Sequence, residues 1–163
     1  MEHYMELART ADSESGRELY AGRSTQVTRY LSVSKFRTHE LRIDEPEEFG
    51  GGDTAANPAE VLLAALAASM EVTCKAWAEY LSIPCGQIST EISGELDLRG
   101  FMNTDRRARS GFKNIKAALR VTGPVTAKNL SELRRVLTRC CPILDTVQHG
   151  SGVDVQIWRD ESS

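Results

Sequence analysis

The chain has 163 residues, 40% of them hydrophobic and 26% charged. That balance fits one globular domain, or one domain with a short arm, and excludes disorder throughout. A formal net charge of −3 gives no broad attraction for nucleic acid or anionic lipid, so neither a nucleic-acid nor a membrane partner is expected. The longest apolar run, Val61–Ala68, is far too short to cross a bilayer. The first 19 residues are polar and lack the apolar core of a secretory signal, so a cytoplasmic location is expected.

In a reducing compartment Cys74, Cys85, Cys140 and Cys141 are expected to be free or redox-active thiols, not a disulfide framework. None is spaced as Cys-x-x-Cys, which disfavours a zinc ribbon or a thioredoxin-type site. His3, His39 and His149 are scattered. Cys140, Cys141 and His149 have weak spacing for a metal, and no metal or cofactor is expected.

Residues 1–24 are polar and aperiodic, and read as a flexible arm or as a segment that packs on a partner subunit. Residues 25–163 read as a single domain. Tyr30–Ser34 and Glu40–Asp44 favour strands, with a turn near Lys35–Thr38. Glu45-Pro46 and Gly50-Gly51-Gly52 then impose a loop.

Asn57 predicts a helix N-cap, Pro58 suits the first helical position, and Glu60 can complete a capping box. The helix is expected from Pro58 to about Leu81, ending before Pro84. Its first half, Val61–Ala68, is apolar on every side and must be buried all round. A domain of this size rarely encloses such a helix alone, so a second subunit is a natural cover. Glu71 and Lys75 stand four apart and suit an ion pair. Trp77 and Tyr80 read as core or subunit interface.

Gln87–Arg99 alternates, with Ile88, Thr90, Ile92, Leu96 and Leu98 on one face, and predicts a strand with one wet side. The loop from Arg99 to Gly111 is basic, with Arg106, Arg107 and Arg109. It reads as a solvated hairpin turn, with binding of an anion as the alternative. A second strand is expected over Phe112–Thr122. Thr126 can cap a further helix running to about Cys141, where Pro142 limits continuation. Leu130, Leu133 and Leu137 mark its buried stripe. At about 100° per residue Cys141 joins that stripe and Cys140 falls to its flank. A vicinal Cys140–Cys141 disulfide would be strained. Val153–Trp158 alternates and predicts a last strand.

Asp44-Glu45-Pro46 with Gly50-Gly51, then Asn57-Pro58-Ala59-Glu60-Val61-Leu62-Leu63-Ala64-Ala65-Leu66, then Cys141-Pro142, stand in an order and spacing that resemble the OsmC/Ohr superfamily of osmotically induced and organic-hydroperoxide-resistance proteins. The resemblance runs from about Tyr30 to Trp158. It implies an α+β fold with antiparallel sheets around two central helices, in an intertwined homodimer. In peroxidase members a cysteine on the central helix attacks the peroxide and becomes a sulfenic acid. The cysteine of the Cys-Pro element resolves it as a disulfide, and an arginine and a glutamate activate the first thiolate. That chemistry needs a stabilised thiolate and a second thiol within disulfide reach.

Carried over by position, the resolving cysteine corresponds to Cys141 and the glutamate to Glu48. Arg37 is a candidate for the arginine, with Arg29 as the alternative. The attacking cysteine corresponds to Ser69, in Ala67-Ala68-Ser69. A serine hydroxyl forms no sulfenate. Cys74, five residues on, lies about 140° around the helix and roughly 7.5 Å along it, and is a weak substitute; its plainer role is a small buried side chain. Two expectations follow. One is a thiol-dependent peroxidase or redox protein related to the peroxide reductases. The other is a non-enzymatic stress-response protein that binds a small hydrophobic or peroxide ligand at the dimer interface.

Overall fold

The computed structural model describes residues 16–159, together with Glu6 and Arg9. Expectations for the rest of the first 15 residues lie outside the described residues. Residues 17–22 form no regular element and are exposed. The first strand, β1, begins at Arg23 and runs to Thr28, two residues earlier than the expected domain start. Chain reversal at Arg29-Tyr30 leads into β2 (Leu31–Phe36), and reversal at Arg37-Thr38 leads into β3 (His39–Ile43). The two turns close antiparallel pairs, giving the sheet order β1-β2-β3. Arg29 and Arg37 both adopt positive φ, 42° and 55°. Such a conformation belongs to tight turns and is uncommon for side-chain-bearing residues.

Helix α1 spans Pro58–Tyr80. Its start is as the residues predict. Asn57 Oδ1 accepts from the Glu60 amide and Glu60 Oε2 accepts from the Asn57 amide, both at 2.9 Å. Two of the orphan amides at this end are thereby satisfied. By length and composition alone α1 is apolar enough to cross a membrane. Here it packs on a hairpin and two further helices. It is not covered all round within one chain: Leu66, Met70, Cys74 and Ala78 are buried, whereas Leu62 and Val72 are exposed. Lys75 pairs with Glu79 at 3.4 Å, and the expected Glu71–Lys75 pair does not form.

Strands β4 (Ile88–Glu95) and β5 (Lys113–Val121) form an antiparallel hairpin, with Ile88 opposite Val121 and Thr90 opposite Leu119. The inward face of β4 is the one that its alternation specifies. Gly94 is required where the register slips, because a Cβ there would stand 2.7 Å from the Phe112 ring. The expected extension of β4 to Arg99 fails. Asp97 accepts from the Arg99 amide and starts a one-turn helix, α2 (Leu98–Phe101), so Leu96 and Leu98 point outward instead of inward.

Helix α3 (Ala127–Cys140) opens on a Thr126–Asn129 capping box. Its buried residues are Leu133 and Val136 with Leu137 beside them; Leu130, expected in the buried stripe, is exposed. Pro142 ends α3, as expected, but it also begins α4 (Pro142–His149), because proline at a first helical position lacks only an amide that has no helical partner. Val153–Trp158 forms no strand. Its apolar side chains lie open to solvent, Ile157 at 93%, with no sheet edge beside them. Alternation specifies two faces but supplies no hydrogen-bonding neighbour.

The architecture is α+β: α1 lies on the β4–β5 hairpin and against α3 and α4. Strands β1–β3 make their chief contacts among themselves.

Candidate functional site

Cys141 is the junction of two helices. Its amide donates to the Leu137 carbonyl at 3.1 Å, and its own carbonyl accepts from the Asp145 amide at 3.0 Å. The residue therefore closes α3 and opens α4, with extended backbone (φ −76°, ψ 113°) between them. This bend turns its side chain onto α1. The thiol is 1% exposed, in a cluster with Leu66 and Met70, lined by Ile92, Ile115, Leu119 and Leu137.

One turn along α1 from Leu66, Ser69 faces the same point. Its Oγ lies 3.3 Å from Cys141 Sγ, a hydrogen bond in which either group can donate. Two residues 72 apart in sequence thus meet as the resemblance implies. Cys140, the flanking thiol, is exposed, and the expected contrast between the adjacent cysteines is present. All four cysteines are free.

Cys74 sits elsewhere. It is 2% exposed, in a second cluster with Ala78, Ile83 and Leu133, against which Cys85 also packs. Burial pushes its thiol pKa up, and the neighbouring Cys85 adds to the rise. Desolvation disfavours the thiolate, which argues against Cys74 as a nucleophile.

Glu48 lies in a single 3-10 turn, Glu47–Phe49, and is exposed; Arg37 and Arg29 are exposed at the β2–β3 and β1–β2 turns. Among the described residues, Glu48, Arg37 and Arg29 make no ion pair, and no hydrogen bond joins them to Ser69 or Cys141. The chain alone brings Ser69 and Cys141 together and leaves the charged candidates apart from them.

The loop that carries Glu48 is held by a residue to which the sequence reading assigned no role. Asp44 is buried. Its carboxylate accepts from the amides of Glu45 (2.9 Å), Gly52 (3.2 Å) and Thr54 (3.2 Å), and from the Thr54 hydroxyl (2.8 Å). The Thr54 hydroxyl does most to hold this carboxyl below its ordinary pKa; burial opposes it, and the three amides assist. Gly51 is obligatory, since a Cβ would fall 1.7 Å from the Glu45 carbonyl oxygen. Asp-Glu-Pro and the glycines are therefore two halves of one knot. The available signal was an aspartate followed by glycine and threonine amides about a loop's length away.

Chemically, the Ser69–Cys141 pair offers one sulfur and one hydroxyl in an apolar enclosure. A hydroxyl can hydrogen-bond a thiol or its oxidised forms. It cannot close a disulfide.

The family model for OsmC-like protein matches residues 50–156. Among curated proteins, none matches the sequence. Solved structures share the fold. An OsmC-like protein from Mycoplasma pneumoniae is 16% identical, with TM-score 0.70, over 81% of this chain and 89% of that one. An organic hydroperoxide resistance protein OsmC from Legionella pneumophila is 20% identical, with TM-score 0.60, over 82% and 93%. An organic hydroperoxide resistance protein from Vibrio cholerae, with captopril bound in one of its active sites, is 18% identical, with TM-score 0.57, over 82% and 88%. From the matched residues, the α+β architecture and these neighbours together, the chain belongs to the OsmC-like family.

Proposed function

We propose that this chain is an OsmC-like protein that keeps the family's site geometry without its two-thiol peroxide cycle, and that it works as a homodimeric binding protein for a small apolar or amphipathic molecule. The observation that carries this is the 3.3 Å approach of Ser69 Oγ to Cys141 Sγ. The hydroxyl occupies the place where the resemblance puts the attacking thiol. Reduction of a hydroperoxide through a disulfide needs sulfur on both sides.

A second copy as cover is supported by what one chain leaves bare. Leu62 and Val72 on α1, Tyr30 in the β1–β2 turn, Phe36 and Leu41 on the first sheet, and Val153, Val155 and Ile157 near the end are all exposed. Exposed apolar surface on this scale marks an interaction site. A partner also offers a route by which Glu48 and Arg37 reach the pair. Free cysteines throughout favour the cytoplasm. The captopril held by the Vibrio cholerae neighbour supports a site of this fold taking a small molecule.

The test is direct. Purified protein is mixed with stoichiometric tert-butyl hydroperoxide, sulfenic acid is mapped by mass spectrometry, and turnover is followed with a dithiol reductant. The expected result is no turnover. In Ser69→Cys the new thiol should cross-link to Cys141 on oxidation. Catalytic turnover by the unmodified chain would defeat the proposal. A folded Ser69→Cys variant that never cross-links would show that the two positions do not share a site.

The observation that favours the other reading, a single-thiol peroxidase, is the same contact, in which the Ser69 hydroxyl can act as donor to Cys141 Sγ. On that reading sulfenic acid accumulates at Cys141 and turnover appears in the same assay.

A further inference from the structure

The connection between β4 and β5 carries a charge and an apolar apex that the chain's net charge hides. Between Asp97 and Lys113 stand five basic side chains, Arg99, Arg106, Arg107, Arg109 and Lys113, against two aspartates. Both aspartates are already engaged. Asp97 holds Arg99 at 2.7 Å and Lys113 at 3.6 Å; Asp105 holds Arg107 at 3.3 Å and Arg99 at 3.7 Å. Arg106 and Arg109 face no carboxylate among the described residues. The local balance is therefore strongly positive on a chain that is negative overall.

Beside these arginines, α2 and the residue after it present Leu98, Phe101 and Met102, exposed at 53%, 75% and 65%. The display is built. The Ser110 hydroxyl donates to the Gly100 carbonyl at 3.1 Å, and Gly100 is pressed against the Arg109 carbonyl so closely that a Cβ would stand 2.6 Å from it. The ion pairs close the base of the same turn. Large apolar side chains are thus held open to solvent in a connection that also carries the exposed Arg106 and Arg109.

We infer that this tip is a docking surface for an anionic lipid bilayer, with Phe101, Met102 and Leu98 entering the headgroup boundary and Arg106 and Arg109 meeting lipid phosphates. A tip inserts, whereas a small-molecule site encloses. Two arginines without a carboxylate partner beside three exposed apolar side chains complement a surface that is anionic outside and apolar within. Apolar apex with basic flanks is the pattern that binds interfaces, apolar burial and charge each supplying part of the affinity. The inference stands apart from the reading of Ser69 and Cys141.

The test uses the full chain in vesicle co-sedimentation. Vesicles are pure phosphatidylcholine, or phosphatidylcholine mixed one to one with phosphatidylglycerol. Binding is expected to the mixed vesicles only, and to weaken as salt rises. Arg106→Glu with Arg109→Glu should weaken it at least about fivefold per arginine, and Phe101→Ser with Met102→Ser should abolish it. Lys128→Glu, on α3, should leave it intact. Absence of binding to mixed vesicles at low salt overturns the inference. So does binding that survives both double variants, since another surface would then be responsible. Protection of the Phe101 and Met102 side chains from hydroxyl-radical labelling in the free protein, against their exposure in one chain, would place a second copy there and overturn it as well. Tighter binding to duplex DNA, dependent on the arginines and indifferent to Phe101, would do the same.

Discussion

The two halves of α1 each bury a thiol, and the surroundings make them different objects. Toward the helix start, Cys141 reaches α1 from another helix and finds Leu66, Met70 and the hydroxyl of Ser69. Toward the helix end, Cys74 belongs to α1 itself and finds Ala78, Ile83 and Leu133. Both are almost fully buried. The first faces a hydroxyl, the second apolar side chains and the Cys85 thiol. Burial alone therefore does not distinguish a packing cysteine from a site cysteine; the group opposite the sulfur does.

The strongest way to disturb this contrast is to hollow one half. Leu66→Ala should cost about 2–5 kcal/mol in denaturant unfolding and speed alkylation of Cys141. Leu133→Ala should cost a similar about 2–5 kcal/mol, yet leave Cys141 shielded and open Cys74 instead. If both variants expose the same cysteine, the halves are not separate.

Exchanging sulfur for oxygen sharpens the comparison. Cys74→Ser buries a hydroxyl among apolar side chains and should destabilise by about 1–3 kcal/mol. Cys141→Ser places its hydroxyl beside Ser69 and should cost less, under about 1 kcal/mol. Equal losses, measured by urea melts of both variants, would contradict the asymmetry.

A smaller effect comes from the cap. Asn57→Ala should remove about 1 kcal/mol. Its amide exchange should quicken around Val61–Leu66 and stay unchanged around Ala78, because the fraying end lies nearest the Ser69 half. The smallest effect is in acid. The folded carboxyl of Asp44 has a lowered pKa, so its stabilisation is complete above the ordinary aspartate value and fades as pH falls through the folded one. Protection of the Gly52 and Thr54 amides should vanish in that acid range while both buried thiols stay shielded. Asp44→Asn should erase the transition.

Local chemistry made much of this legible. Asn57-Pro58-x-Glu60 specified the start of α1, and alternation gave the inner face of β4. Cys141 lies inward and Cys140 outward as expected, but not by the helical projection, since Leu130 of the same stripe is exposed and Cys141 turns inward through extended backbone. The family resemblance supplied the meeting of Ser69 and Cys141, which no periodicity could, because 72 residues separate them. What failed was decided by neighbours. Val153–Trp158 has a strand's pattern but no strand beside it. Leu96 and Leu98 continue an alternation that Asp97 interrupts by capping a turn. Lys75 had two glutamates at helical spacing, and the one C-terminal to it was chosen. Asp44 was quoted as part of a motif, but its role emerged only when Gly52 and Thr54 folded back to it.

One joint in the backbone has a mechanical side. The residue before Pro142 is bonded forward to one helix and backward to another, with its sulfur pressed on a third. Enlarging that atom, by an oxygen or an alkyl group, must swing α3 from α4 or lift both from α1, since a close-packed interior has no slack to absorb it. The junction is thereby a lever: a change a few ångströms across at its fulcrum becomes a displacement of two rods, readable as a shift in spacing between labels at Arg139 and Gln148.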